Sequence, residues 1–317
     1  MKFSERIQNV SPSMTLAIDA KAREMKALGE DVIGFGAGEP DFNTPEHIKQ
    51  AGIRAIQDNQ TRYTPVGGSV LFKEAIIHKL QRDNGLIYET NQILASSGAK
   101  QSFYNLAQVL WQAGDEVIIP APYWVSFPDM VTLSGARPVI IHSGAEQNFK
   151  VTPEQIDKAV TPNTRAIVIN SPSNPTGSAY DKGELEKLAE CALRHGLLII
   201  SDEIYEQIVF DGFQHTSIAS LSKEVQKNCV VINGVSKSFA MTGWRIGYIA
   251  AGNPEIVKQV NKLQGQSTSN PCSVSQAASI EALNGPLDEV HKMVREFEKR
   301  RDILVGLLRQ IPGVSCN

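Results

Sequence analysis

Apolar and polar positions along this chain follow two different periodicities. Short runs rich in Val and Ile, bounded by Gly, Pro, Asn or Ser, are typical of buried strands, and they occur at 92–96, 116–120, 137–141, 166–170, 197–201, 230–233 and 246–250. Longer segments at 101–112 and 182–195 place apolar residues every three or four positions, which predicts helices between those strands. This alternation predicts an α/β fold with a doubly wound, mainly parallel sheet, which we place in one large domain over residues 44–284.

The two ends of the chain have other patterns. Residues 13–28 form an amphipathic segment that leads into a loop at 34–40. Pro286 predicts the start of a second helix, with proline at its first position, and the stripe of apolar residues that follows it is Leu287, Val290, Val294, Phe297, Leu304, Leu308 and Ile311. A Pro-Gly turn then predicts a strand at 314–316. We expect residues 1–43 to form an N-terminal arm and part of a smaller α/β domain, and residues 285–317 to begin the rest of that domain, incomplete here.

Composition and charge argue against several functional classes. A net charge of −3, from 31 basic and 34 acidic residues, gives no electrostatic signature of binding to nucleic acid or to an anionic membrane. No apolar run approaches the roughly 20 residues of a membrane span, and the polar start lacks the apolar core of a signal peptide. The four cysteines form no CxxC pair, which argues against zinc sites and disulfides. We expect a cytoplasmic protein.

One lysine lies in a segment suited to a nucleophile. Lys237 follows the apolar run 229–233 and has small and apolar neighbours. A lysine attacks carbonyl groups only when desolvation or a nearby positive charge makes it easier to deprotonate, and Arg245 offers such a charge together with a fork for a phosphate. A lone lysine at a strand end is more often an ordinary surface residue. The whole fourteen-residue segment 234–247, however, resembles the lysine signature of the class I (fold-type I) aminotransferases at every restricted position.

This resemblance implies the cofactor pyridoxal 5'-phosphate (PLP), bound to Lys237 as a Schiff base. Asp202, in the segment LIISDEIY, matches the family's partner of the pyridine nitrogen, and a buried carboxylate keeps such a nitrogen protonated. Tyr205 matches a hydrogen-bond donor to the ring 3-oxygen, and Asn174, in NSPSNPTG, matches a residue that contacts both that oxygen and the substrate carboxylate. From the residues alone, Asp202 could equally cap a helix, and the segment around Asn174 could be only a turn.

Two further segments match the family's contacts with the phosphate and the ring. Gly98, Ala99 and Lys100 match the turn that cradles the phosphate at the start of a helix, where free N–H groups favour an anion. Trp124, in APYWVSF, matches the aromatic residue stacked on the pyridine ring. Lys100 also matches a lysine that reaches the distal carboxylate of acidic substrates in the bacterial aspartate aminotransferase subgroup called Ib. Each segment alone has a simpler explanation, as a strand-to-helix turn or as loop packing.

The remaining matches concern the substrate and a second subunit. Gly38, in GAGEPDF, matches a backbone N–H donor to the substrate carboxylate, and Tyr63, in RYTPVGG, matches a tyrosine that crosses a dimer interface to the other subunit's phosphate. The resemblance therefore implies a homodimer with shared active sites. Gly234 replaces a serine that holds the phosphate in other subgroups, although glycine also fits subgroup Ib. The family arginine that clamps the substrate α-carboxylate would lie beyond residue 317, so we expect a truncated chain.

The sequence thus predicts an aminotransferase that moves the amino group of aspartate to 2-oxoglutarate, with amino acids and 2-oxo acids as its small-molecule partners. Two alternatives remain: the same chemistry on aromatic, prephenate or alanine substrates, and a remnant that binds PLP but transaminates poorly or not at all. A nucleotide-binding protein is a weaker alternative, because the chain has neither GxGxxG after a strand nor a Walker A segment.

Overall fold

A computed structural model of the chain describes residues 1–36 and 38–316, including every side chain among them except that of Leu16. The described helices and strands follow one another in this order: α1 (Glu5–Gln8), α2 (Met14–Ala27), α3 (Glu46–Gln57), α4 (Val70–Asn84), β1 (Ile93–Ser96), α5 (Ala99–Leu110), β2 (Glu116–Ala121), α6 (Ser126–Ser134), β3 (Arg137–His142), α7 (Pro153–Ala159), β4 (Thr164–Asn170), α8 (Lys182–Arg194), β5 (Leu198–Asp202), α9 (Lys223–Lys227), β6 (Cys229–Gly234), β7 (Gly247–Ala251), α10 (Pro254–Ser267), α11 (Ser273–Asn284) and α12 (Asp288–Leu308). None of these helices is both long and apolar enough to cross a membrane.

The seven strands form one sheet in the order β1-β7-β6-β5-β4-β2-β3. Six of them run parallel to one another, and β7 runs antiparallel to both its neighbours. The register pairs Asn170 with Asp202, and pairs Gly247 with both Ser96 and Gly234. The carboxyl ends of the parallel strands and the amino end of β7 therefore meet at one edge of the sheet, which we call the site edge. The predicted mainly parallel sheet is confirmed.

Both faces of the sheet are buried, which explains why the strands read as continuous apolar runs. Val117 and Ile119 of β2 point into one apolar cluster, whereas Ile118 between them points into the other. The same division holds for Ile199 and Ile200 of β5. Helices cover both clusters, as a doubly wound fold requires. Each predicted strand is present within two residues of its expected bounds.

Helix α12 corrects the prediction for the C-terminal part of the chain. It begins at Asp288 rather than Pro286, because Leu287 packs against the core and two acidic residues then occupy the first turn, where the helix dipole favours them. Val290 is buried at 2% exposure, whereas Leu304 is 52% exposed, so the large domain covers only the first half of the apolar stripe. The predicted strand at 314–316 is wrong: those residues are irregular, with no neighbouring strand in the described chain.

Candidate active site

The predicted site residues collect at the site edge of the sheet. Parallel strands bring the residues that follow them to one place, where α/β folds usually bind ligands. The residues flanking these strand ends are Gly98, Ala99 and Lys100 after β1, Trp124 after β2, Asn174 after β4, Asp202 and Tyr205 at the end of β5, Lys237 after β6, and Arg245 before β7.

Lys237 is half-buried and has the electrostatic surroundings of a nucleophile. Burial lowers the pKa of its ammonium, and the positive charge of Arg245 lowers it further, although Glu39 and Asp202 oppose this. Its Nζ donates a hydrogen bond to the Gly38 carbonyl and lies 5.6 Å from the centre of the Tyr205 ring. A lysine that loses its proton more easily than usual is the form that reacts with a carbonyl.

Asp202 is 6% exposed, and burial raises the pKa of its carboxyl to about 7. The Ile204 N–H donates to its Oδ1 at 3.1 Å, and within the described residues no hydrogen bond reaches Oδ2. The alternative of a helix cap is wrong, because residues 204–207 form a turn and no helix starts there. A buried carboxylate with one oxygen unpaired fits a ligand that brings its own N–H and positive charge.

Tyr205 and Asn174 lie close enough for the Asn174 side chain to influence the pKa of the Tyr205 phenol. Burial raises the pKa of Tyr205 to about 12, and the charge of Asp202 adds to this effect, so the phenol remains a donor at neutral pH. Asn170 supports the arrangement from below: its Oδ1 accepts from the Asn174 N–H at 2.8 Å, and its Nδ2 donates to the Asp202 carbonyl at 3.1 Å. Sequence reasoning assigned Asn170 no role, although it opens the segment NSPSNPTG.

The start of α5 and Arg245 form a cationic corner of the site. Gly98 caps α5 with φ +93°, and a Cβ there would lie 2.5 Å from an Arg245 guanidinium nitrogen. Gly247 is equally constrained, since a Cβ on it would overlap the backbone of Ala99. The first N–H groups of a helix have no partner within it, so a guanidinium beside them makes this corner suited to a phosphate. Gly247 ends the segment 234–247 that resembles the lysine signature, but the resemblance does not indicate this close approach to α5.

Gly234, the departure from other subgroups, is also explained by packing. It is buried at the end of β6, and a Cβ would lie 2.7 Å from the Ile246 carbonyl oxygen. A serine therefore does not fit this backbone without moving the start of β7. Contacts with a phosphate must come from the cationic corner instead.

Lys100 and Trp124 lie together beside that corner. The Lys100 ammonium is 5.0 Å from the centre of the Trp124 ring, in the range of a cation–π contact. Burial lowers the pKa of Lys100, and the charge of Arg245 lowers it further. Trp124 packs edge-on against Phe127 at 5.2 Å between ring centres. The partly desolvated ammonium of Lys100, beside the Trp124 ring, can attract a carboxylate.

Two predicted residues stand apart from the others. Gly38 reaches the site through its carbonyl, which accepts from Lys237, while its neighbour Glu39 contacts the Thr242 hydroxyl. Sequence reasoning overlooked Glu39, whose charge acts on Lys237. Tyr63 is 91% exposed and shares no hydrogen bond, ion pair or ring contact with the other site residues in the described chain. Its predicted role at a partner's site stays a prediction.

The donor set fits pyridoxal phosphate. It combines an easily deprotonated lysine for an aldehyde, a buried carboxylate with one unpaired oxygen for a protonated ring nitrogen, and a phenol–amide pair for a ring oxygen. The cationic corner at α5 completes it with a place for a phosphate.

Comparison with known proteins agrees with this chemistry. The family model "Aminotransferase class I and II" matches residues 30–317. The aspartate aminotransferase of Geobacillus stearothermophilus is 53% identical over 316 residues, 100% of this chain and 80% of that protein. The aspartate/prephenate aminotransferase of Cereibacter sphaeroides is 49% identical over 315 residues, 99% and 78% of the two chains.

Solved structures agree as well. The crystal structure of the Rhizobium meliloti aspartate aminotransferase superposes with a TM-score of 0.96 at 44% identity, covering 100% of this chain and 79% of that one. The Thermus thermophilus aspartate aminotransferase with maleate gives a TM-score of 0.93 at 39% identity, covering 98% and 81%. The chain belongs to the class I and II aminotransferases, enzymes that use pyridoxal 5'-phosphate.

Proposed function

We propose that this protein is an aspartate aminotransferase that passes the amino group of aspartate to 2-oxoglutarate. The observation that supports this substrate choice is the position of the partly desolvated Lys100 ammonium beside Trp124, at the edge of the site. Both substrates carry a second carboxylate, which such a cation attracts. The relatives named aspartate aminotransferase, and the maleate in the Thermus thermophilus structure, support the same choice, since maleate is a four-carbon dicarboxylate.

Lys237 is the residue that binds the cofactor covalently and then moves the proton. Bound PLP supplies an electron sink that stabilises negative charge developing at the substrate α-carbon. When it is not joined to the cofactor, Lys237 Nζ would accept the proton from the substrate α-carbon and would then carry it as an ammonium until it is returned to the substrate–cofactor adduct. General-base catalysis of this kind contributes roughly 10²–10⁴-fold, and the lowered pKa of Lys237 makes the free base more abundant near neutral pH.

The other residues hold the reacting groups in place. Asp202 would keep the ring nitrogen of bound PLP protonated, and Tyr205 with Asn174 would hold its 3-oxygen. Arg245, Gly98, Ala99 and the backbone at Lys100 would hold the phosphate, and the Trp124 side chain would pack against the ring. Asn174 and the Gly38 N–H would contact the substrate carboxylate.

We also propose a cytoplasmic homodimer in which Tyr63 of each subunit completes its partner's phosphate site. The 91% exposure of Tyr63 supports this, because a tyrosine that serves another subunit has little to contact in its own. We retain the division into an arm (1–43), a large domain (44–284) and the start of a small domain (285–317).

Borohydride reduction and a donor series test the proposal. After reduction of the PLP-loaded protein, peptide mapping should place the pyridoxyl group on Lys237, and modification of a different lysine would overturn the assignment. Aspartate with 2-oxoglutarate as acceptor, and glutamate with oxaloacetate as acceptor, should then react better than alanine or phenylalanine with 2-oxoglutarate. Prephenate should be included as an acceptor, because several relatives are named aspartate/prephenate aminotransferase.

A further inference from the structure

Four buried ionisable side chains form a group that includes Glu203, the chain neighbour of Asp202, and the reaction above uses none of them. Lys79, Glu203 and Glu206 are at most 6% exposed, and the His215 side chain is 8% exposed. Removing charges from water is costly unless they are paired and hydrogen-bonded. Their position against a catalytic carboxylate therefore calls for a physical explanation.

One half of this group is a completed structural pair. Glu206 accepts hydrogen bonds from the Lys79 ammonium, from Asn233 Nδ2 at 2.7 Å and from Asn84 Nδ2 at 2.9 Å. These contacts tie α4 to β6 and to the turn after β5. The two charges offset each other, so this pair adds little net potential at the site edge.

Glu203 is held differently. Its Oε1 accepts from the hydroxyls of Ser201 and Ser217, both at 2.8 Å, while its Oε2 lies 3.4 Å from His215 Nε2. Two neutral hydroxyls fix the carboxylate, and the His215 imidazole, when protonated, partly balances its charge. Burial lowers the pKa of His215, but the hydrogen bond and charge of Glu203 and the charge of Glu206 outweigh this and raise it.

Glu203 is also the chain neighbour of Asp202 and is fixed to the sheet by its own backbone, whose N–H donates to the Ile232 carbonyl at 2.9 Å. Its charge is among the influences that raise the pKa of Asp202, after burial. The other titratable or charged groups that face Glu203 or His215 from neighbouring elements are Lys79, Tyr88, Glu206, Cys229 and Tyr248. Burial raises the pKa of Tyr88, Cys229 and Tyr248, so these three stay neutral.

We infer that Glu203 and His215 are positioning residues that act through Asp202. The negative charge of Glu203 makes Asp202 hold a proton more firmly, and the positive charge of the His215 imidazolium makes Asp202 hold it less firmly. This inference rests on the proposed function. The pair sets how firmly the proton shared by Asp202 and the cofactor's ring nitrogen is held, without either residue touching the cofactor. Because Glu203 and His215 carry opposite charges, removing one charge should loosen the shared proton and removing the other should tighten it.

The absorbance of bound PLP reports this effect independently of turnover. When the nitrogen joined to Lys237 loses its proton, the visible band is replaced by a near-ultraviolet band. Glu203→Gln removes a negative charge and should lower the pH of that change, whereas His215→Gln removes a positive charge and should raise it. A unit charge about 10 Å away, at an effective dielectric constant of about 20, gives a shift on the order of one pH unit. The double variant should return close to wild type.

Glu116→Gln is the matched control. Glu116 is also a buried carboxylate, and it is held by the Thr161 and Thr164 hydroxyls and by Arg137, but at the opposite edge of the sheet. The Glu116→Gln variant should have a lower melting temperature but an unchanged pH midpoint of the absorbance change. A merely structural role for Glu203 would give that same result.

The outcomes separate the two hypotheses. A wild-type protein with no visible band after PLP loading would overturn the proposed function and this inference with it. A normal band whose midpoint fails to move, or moves in the same direction in both single variants, would overturn this inference alone. If Glu203→Gln does not fold, His215→Gln decides the question, because an unchanged or lowered midpoint in that variant contradicts the opposing-charge argument.

Discussion

Replacing Asp202 by Asn should stabilise the protein prepared without PLP while removing most of its activity. Burial raises the pKa of Asp202 from its ordinary 3.8 to about 7, so the folded state holds the ionised form at a cost. The sign follows from proton linkage. The folded state binds the proton more tightly than the unfolded state, so the cost is absent below the unfolded pKa and fully present above the folded one.

The size of the effect follows from the same shift. A difference of about three pKa units, at about 1.4 kcal/mol each, amounts to about 4 kcal/mol at pH 8 and about 2 kcal/mol at pH 5. An asparagine keeps an oxygen for the Ile204 N–H but has no charge to bury. It also cannot hold a protonated ring nitrogen, so turnover with PLP should fall by several powers of ten.

Urea unfolding of both proteins at pH 5 and pH 8, without PLP, measures this difference. The variant should be the more stable at both values, with the larger gap at pH 8. Glu116→Gln should behave oppositely: hydrogen bonds from Thr161 and Arg137 lower the pKa of Glu116, so its charge stabilises the fold at neutral pH. A variant Asp202→Asn that is less stable than wild type at pH 8, or a gap that does not shrink at pH 5, would refute the reasoning.

Three other predictions concern the site edge. Lys100→Ser should lower kcat/KM for aspartate and glutamate about 5–150-fold more than for alanine, from about 1–3 kcal/mol of discrimination; steady-state kinetics with the three donors would show an equal loss if Lys100 serves only the cofactor. Gly247→Ala should weaken PLP binding at least about tenfold, because the new methyl group displaces the start of α5; equilibrium titration measures this, and unchanged affinity would contradict the proposed phosphate corner. Mixing Tyr63→Ala subunits with Lys237→Ala subunits should yield hybrid dimers with one intact site and measurable activity, and an inactive mixture containing verified hybrids would argue against a shared site.

Much of the fold was predictable because its signals are local. Strands buried on both faces contain continuous apolar runs, and β2, β4, β5 and β6 each contain such a run. The order of the strands, which places β7 antiparallel between β1 and β6, has no such local signal. It depends on which edges pair after the helices have packed.

The same distinction applies to the site. Lys237, Asp202 and Asn174 lie in segments that resemble a known pattern, so they could be proposed from the sequence. Asn170 also contacts the carbonyl of Asp202 at 3.1 Å, and Gly247 lies against the backbone of Ala99. Both contacts join segments that are far apart in the chain, so no single segment reveals them. The start of α12 was misplaced because Pro286 is a local signal, whereas the packing of Leu287 against the core is not.

The antiparallel strand β7 has a consequence for how the site tolerates change. β7 runs antiparallel to β6, so residues 235–246, which connect the two strands, lie entirely at the site edge. Lys237 and Arg245 therefore belong to one short hairpin-like unit clamped at both ends by paired strands, whereas a parallel β7 would have required a long crossover between them. Insertions of even one residue inside this unit should separate the nucleophile from its cation, while insertions just beyond Ala251 leave their spacing untouched. Residues 235–246, which carry the nucleophile and its neighbouring cation, are therefore expected to tolerate changes in length least.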